Sequence, residues 1–120
     1  MGNYRKKLGA YGEEQAVDYL RKSGYRIIEQ NFMCRTGEVD IIAQQMDMYV
    51  FVEVKTRRDI GYGRPIEAIT PQKLRSFIKS VEVYRKMKHL YDVPIRIDAI
   101  EVVVAETGTC SFNQIENITM

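Results

Sequence analysis

Cysteine and histidine are scarce in this chain of 120 residues, with two of the first and one of the second. Cys34 and Cys110 form no C-x-x-C pair, and His89 is the single histidine, so no zinc site of Cys and His is expected. Both cysteines read as structural. No apolar run approaches the ~20 residues that a membrane-spanning helix needs. The opening stretch MGNYRKKLGAYGEE is polar and lacks the apolar centre of a signal peptide. Met1-Gly2 does not continue as a myristoylation motif, because Lys6 stands where Ser or Thr is required. Repeats and low-complexity stretches are also missing. A cytoplasmic protein that does not enter a membrane is expected.

What is present fits one domain over residues 1–120. Apolar residues make up 45% of the chain, enough for a single core, and charged residues make up 28%. The net charge of +2 is unevenly spread. Lys55 to Lys88 holds ten Lys or Arg against three acids, a local +7, while the remainder carries −5. A basic half suits a polyanionic partner or forms a solvated helix face; charge alone does not separate the two.

Apolar spacing predicts a helix from about Tyr4 to Lys22, with Leu8, Gly12, Ala16 and Leu20 on one stripe and Val17 and Tyr19 beside it, broken at Gly24. Three strands follow: YRIIEQN, then Gly37 to Gln44, then Met48 to Arg57 returning antiparallel after a tight turn at QMDM. The stretch TRRDIGYGRPIEAI reads as a long loop. A second helix opens at Thr70-Pro71, an N-cap with proline behind it, and runs to near Tyr91 on a stripe of Leu74, Phe77, Ile78, Val81 and Tyr84. IRIDAIEVVVA is a strand long enough to sit inside a sheet, and CSFNQI is a weak last one. The order α-β-β-β-α-β-β, with a strand–helix–strand unit that favours parallel pairing, predicts an α/β domain with a mixed sheet and helices packed on it.

The strand VFVEVKT poses the chemical question. Side chains two apart share a strand face, so Glu53 and Lys55 lie together on the face of Phe51. A half-wet strand would show the same pattern. The preceding strand, GEVDIIA, repeats it, with Glu38 and Asp40 on one face and Val39 and Ile41 expected on the other. The turn makes the two strands neighbours. With matching parity, Glu38, Asp40, Glu53 and Lys55 converge on one patch, where one lysine cannot neutralise three carboxylates. A divalent cation resolves the repulsion, and all-oxygen ligation suits magnesium or manganese. On the first helix Glu13 lies on the core-facing stripe. It either reaches this patch or answers the helix dipole near an N-terminus.

GEVDIIA followed by VFVEVKTR resembles the D…E-x-K core of restriction-endonuclease-like nucleases. Nearly the whole chain resembles the YraN-like family of small bacterial proteins, distantly similar to Holliday-junction resolvases, through GAYGEEQAVDYL, NFMCRTGEVDIIA, VFVEVKTRRDIGYGRP, EAITPQK and RIDAIEV. The resemblance implies a restriction-endonuclease-like fold. It implies Asp40 as the metal-binding acid, Glu53 as the second ligand, Lys55 as the residue that positions or activates water, and Glu13 as the helix-1 glutamate. The proline that precedes the aspartate in the superfamily is replaced by Val39. Asp98 in RIDAI matches the family pattern and reads as a structural contact.

The expected reaction is metal-assisted hydrolysis of a phosphodiester, with catalytic Asp40, Glu53, Lys55 and Glu13, and Mg2+ or Mn2+ on Asp40, Glu53 and Glu38. Arg57, Arg58, Arg64 and Lys73 would hold flanking phosphates of DNA or another structured nucleic acid. Lys73 sits where helix N-termini attract phosphate, and Tyr62 either packs or stacks on a base. The competing reading is a non-catalytic nucleic-acid-binding module on the same fold. Cleavage of both strands of a duplex would call for a homodimer.

Overall fold

The computed structural model describes residues 2–59 and 69–119. The elements are α1 (Gly2–Lys22), β1 (Arg26–Cys34), β2 (Gly37–Gln45), β3 (Met48–Arg58), α2 (Pro71–Met87), β4 (Ile95–Val104) and β5 (Cys110–Ile115). The five strands form one sheet in the order β1-β2-β3-β4-β5, with β3 and β4 parallel and the other neighbours antiparallel. This is an α/β domain with a mixed sheet, in the expected order of elements. Among the described residues, no helix is long and apolar enough to cross a membrane.

Each helix covers one face of the sheet. Ala16, Val17 and Leu20 of α1 pack on Ile41, Ala43, Val50, Val52, Ile100 and Val102. Phe77, Val81 and Tyr84 of α2 pack on Phe32, Val39, Ile42, Phe51 and Ile97. Strands covered on both faces read as nearly continuous apolar runs, as IEVVV in β4 does. Gly12 lets α1 lie close on β3: a Cβ there would stand 1.9 Å from Thr56 Oγ1.

The helix ends depart from the sequence reading. α1 starts at Gly2 and α2 stops at Met87, with Lys88 N–H bonded to Tyr84 O and His89 at a φ of 55°. Thr70 caps α2 as expected, its hydroxyl accepting from Lys73 N–H at 3.2 Å. β1 runs to Cys34, beyond the YRIIEQN segment.

Asp98 is a structural residue. It is fully buried, and Arg96 grips it with Nε at 2.8 Å and Nη2 at 2.9 Å. Gln114 Nε2 and the Asn117 N–H complete its shell at 3.0 Å each, tying β5 and the segment after it to β4.

Candidate active site

Two interruptions of strand geometry create the site. The β2–β3 ladder begins at Ile41 opposite Val52. Continued by two residues, that register would set Val39 opposite Val54 and call on a main-chain acceptor. Instead the Asp40 carboxylate enters the gap, and its Oδ2 accepts the Val54 N–H at 2.7 Å. The side-chain alternation slips here. Val39 packs under α2 while Ile41 joins Ala43 under α1. The expectation that Val39 and Ile41 share a face is therefore corrected, the physical cause being a side-chain acceptor in place of a ladder carbonyl. Across from Asp40, between the Gln30–Ile41 and Phe32–Val39 pairs, Asn31 adopts a φ of 54°.

Asp40, Glu38 and Glu13 each bring a carboxylate oxygen to within 4.8 Å of the others. With its amide oriented to satisfy both neighbours, Asn31 Nδ2 donates to Glu13 Oε1 and to Glu38 Oε1, each at 2.8 Å. The sequence reading did not single out Asn31. The sequence offered only an Asn at the end of a predicted strand, one of the few residues that tolerate positive φ. Glu13 lies well inside α1, so the N-terminal dipole does not explain its place.

Glu53 and Lys55 keep the parity of Phe51, which packs under α2. They approach the gap from that side, whereas Glu13 approaches from the α1 side. The acids thus do not gather on one sheet face, as matching parity had suggested; they flank the gap that Asp40 occupies. Asp40 feels both sides. Burial foremost, then the charges of Glu13, Glu53 and Glu38, push its carboxyl up to about 8 against the single Val54 hydrogen bond. Burial also raises Glu13, with Glu38 adding to it and Asn31 opposing. Glu53 is raised by burial, moderated by Lys55 and Lys73.

Clefts open on both sides of the gap. On the α2 side a cleft of about 540 Å³ is lined by Glu38, Glu53, Thr70, Gln72 and Lys73 among others. On the α1 side one of about 460 Å³ is lined by Tyr4, Arg5, Glu13, Val54, Thr56 and Arg58 among others. Lys73 therefore stands at the α2 cleft. Arg58 stands at the α1 cleft, its Nε donating to the Tyr4 hydroxyl. Arg57 is paired with the nearly buried Glu101 at 3.1 Å, which ties it to the sheet. Arg64 and Tyr62 lie outside the described residues.

The donor set is all oxygen, which is the chemistry of magnesium or manganese. Among the described residues, the hydrogen bonds to Asp40, Glu38 and Glu13 come from neutral donors, the Val54 N–H and the Asn31 amide. Three carboxylates so placed cannot all ionise at low cost, and a divalent cation fits that deficit.

Residues 12–102 match the profile of the uncharacterised protein family UPF0102. The chain belongs to that family. It is 43% identical over 112 residues to the UPF0102 protein of Syntrophomonas wolfei, covering 93% of this chain and 96% of that one. The UPF0102 protein of Geobacter sulfurreducens is also 43% identical, over 96% of this chain and 90% of its own. A Caldicellulosiruptor saccharolyticus member is 41% identical over 94% and 97% respectively. The matched span of the family contains every residue of the acid cluster, Asn31, Lys55 and the N-terminus of α2.

Proposed function

We propose that this UPF0102 member is a divalent-metal-dependent nuclease hydrolysing phosphodiester bonds in nucleic acid. The observation that carries the reading is the placement of Asp40. Its carboxylate is built into the β2–β3 gap by the Val54 N–H, beside Glu13 and Glu38, with Glu53 close enough to raise its proton affinity. The fold gains one hydrogen bond from that arrangement, which a neutral acceptor would supply as well, whereas each uncompensated buried charge costs on the order of several kcal/mol.

Asp40, Glu38 and Glu13 would hold the cation, with Glu53 contributing from the other side of the gap. Bound there, magnesium or manganese would polarise a phosphoryl oxygen and lower the pKa of a coordinated water. The rest of the chemistry falls to the chain's own side chains. Lys55, two residues from Glu53 on the same face, orients the attacking water or offsets charge on the phosphorus. Lys73, near Glu53 in the first turn of α2, holds a flanking phosphate where the helix N-terminus favours an anion. Arg58 does so on the α1 side. Asn31 keeps Glu13 and Glu38 at ligand spacing.

The test is a panel of linear, flapped and branched DNA and RNA, incubated with magnesium, manganese or chelator, for wild type and Asp40→Asn. Cleavage that needs the metal and disappears in Asp40→Asn is the expected result. Binding with no turnover on any substrate or metal would replace the nuclease with a nucleic-acid-binding module.

A further inference from the structure

The start of α1 carries a feature that neither folding nor the acid cluster accounts for. Arg5, Lys6 and Lys7 are consecutive and exposed in the first two turns, and the first turn has no acidic residue. Cations there oppose the helix dipole, so the run is not explained by helix stability. Beside it Tyr4 is 52% exposed. Arg58 reaches across from the end of β3, its guanidinium 5.7 Å from the Tyr4 ring centroid and its Nε bonded to the Tyr4 hydroxyl. The ring is thus held in place while much of it stays open to solvent. Tyr4, Arg5 and Arg58 line the 460 Å³ cleft whose wall also includes Glu13, a member of the acid cluster. A volume of this size suits one small ligand unit.

We propose that this cleft is a subsite for a single unpaired nucleotide adjoining the bond to be cut, with its base on Tyr4 and its phosphate between Arg5 and Arg58. The substrate class follows from the ring. A base in a duplex has both faces covered by its neighbours, and an exposed tyrosine can stack only on one that is out of the stack. The cationic run at Lys6 and Lys7 then draws in the flanking strand. Substrates would therefore present a single-stranded segment on the α1 side of the gap. The subsite rests on the nuclease reading only for the meaning of the neighbouring acids; its binding chemistry stands apart from turnover.

The experiment is fluorescence anisotropy at one fixed low salt, with chelator present so that no cleavage intervenes. Probes are labelled single-stranded deoxy- and ribo-oligonucleotides and a duplex of the same length. The proteins are wild type, Tyr4→Leu, Tyr4→Phe, Arg5→Ala and, as a control on the far end of α1, Arg21→Ala, with folding checked by melting curves. Tyr4→Leu is expected to weaken single-strand binding about tenfold or more, the usual scale for a lost base–aromatic stack. It should leave duplex binding unchanged. Tyr4→Phe, which keeps the ring and loses only its bond to Arg58, should weaken single-strand binding less than Tyr4→Leu does, Arg5→Ala should weaken it, and Arg21→Ala should be silent; either sugar counts as support. Equal single-strand affinity for Tyr4→Leu and wild type, or an equal loss on single strand and duplex, overturns the subsite. Absence of cleavage in the metal panel with Tyr4-dependent binding intact would remove the nuclease and leave the subsite. Metal-dependent cleavage with Tyr4→Leu silent would do the reverse.

Discussion

The Asp40 carboxylate stands in for a main-chain acceptor: its Oδ2 takes the Val54 N–H at 2.7 Å where the β2–β3 ladder has opened. One residue therefore serves as a strand-pairing group and as the centre of the acid cluster. The two roles respond differently to substitution. Asp40→Asn keeps an acceptor for Val54 and removes the charge, so the metal-free protein should be as stable as wild type or more so. Asp40→Ala strands a half-buried N–H and should cost about 1–3 kcal/mol. Both should lose the melting shift produced by magnesium. Melting curves with and without the ion check this; a full magnesium shift in Asp40→Asn would remove Asp40 from the cation site.

The same carboxyl sets a pH dependence. In the unfolded chain Asp40 releases its proton near 3.8, whereas in the folded protein it does so at about 8. Between those values the native state holds a proton that the unfolded state has lost. Stability is then fully present below pH 4 and falls as pH rises towards 8. Glu13 and Glu53, both raised, add to the fall. Metal-free wild type should melt several degrees lower at pH 8 than at pH 5, Asp40→Asn should lose most of that slope, and saturating magnesium should flatten it. A melting temperature that rises over this range contradicts the assignment.

How far the residues spoke for themselves varies with the physics. The helix stripes were legible because one face of each helix is buried at period 3.6, and Ala16, Leu20, Phe77, Val81 and Tyr84 are all in the core. Sharing of a face by Glu53 with Lys55 was legible because β3 pairs regularly with β4 through Arg58. The slip at Asp40 was not, because alternation presumes an unbroken ladder and nothing local in EVDII shows a carboxylate replacing a carbonyl. The positive φ of Asn31 opposite that break was hidden for the same reason: only the paired strand reveals it. The end of α2 was overrun because no glycine marks it and His89 takes the left-handed conformation instead.

Close approach of α1 to β3 should make Gly12 intolerant of any side chain. A Cβ at 1.9 Å from Thr56 Oγ1 and 2.7 Å from Thr56 Cβ forces the helix away from the strand. Gly12→Ala, despite its better helix propensity, should destabilise by about 1–3 kcal/mol or more, as overpacking does. Because Glu13 is the next residue, it should also weaken the magnesium shift. Thr56→Ala in the same chain should restore part of both. Denaturant titration measures the first effect; a neutral Gly12→Ala would mean that the helix does not seat on Thr56.

Asp98 offers the contrast of a buried carboxylate with a purely structural task. Its partners Arg96, Gln114 and the Asn117 N–H satisfy it without a metal, and Arg96 holds its proton more tightly for the contact. Asp98→Ala leaves the guanidinium facing a void and should cost about 3–5 kcal/mol, the scale for breaking a buried pair. At a temperature where the variant is still folded, its magnesium-induced melting shift should match that of wild type. Loss of that shift with stability preserved would make Asp98 part of the cation site.

The strand that raised the chemical question supplies the last test. Glu53 and Lys55 share a face, and the lysine charge lowers the proton affinity that burial gives the glutamate. If they only decorated a half-wet strand, replacing either would be nearly silent, within about ±0.5 kcal/mol. At a cation site the two substitutions separate. Glu53→Gln relieves repulsion on Asp40, so the metal-free protein should melt no lower than wild type, while its magnesium shift shrinks. Lys55→Ala removes a positive charge that moderates Glu53, so the metal-free protein should melt lower while much of the magnesium shift survives. Cleavage should be lost in both. The measurement is a pair of melting curves per variant, with an exposed-site control such as Lys22→Ala. Identical magnesium shifts in wild type, Glu53→Gln and the control would reduce Glu53 to surface charge and leave Asp40, Glu38 and Glu13 as the whole of the site.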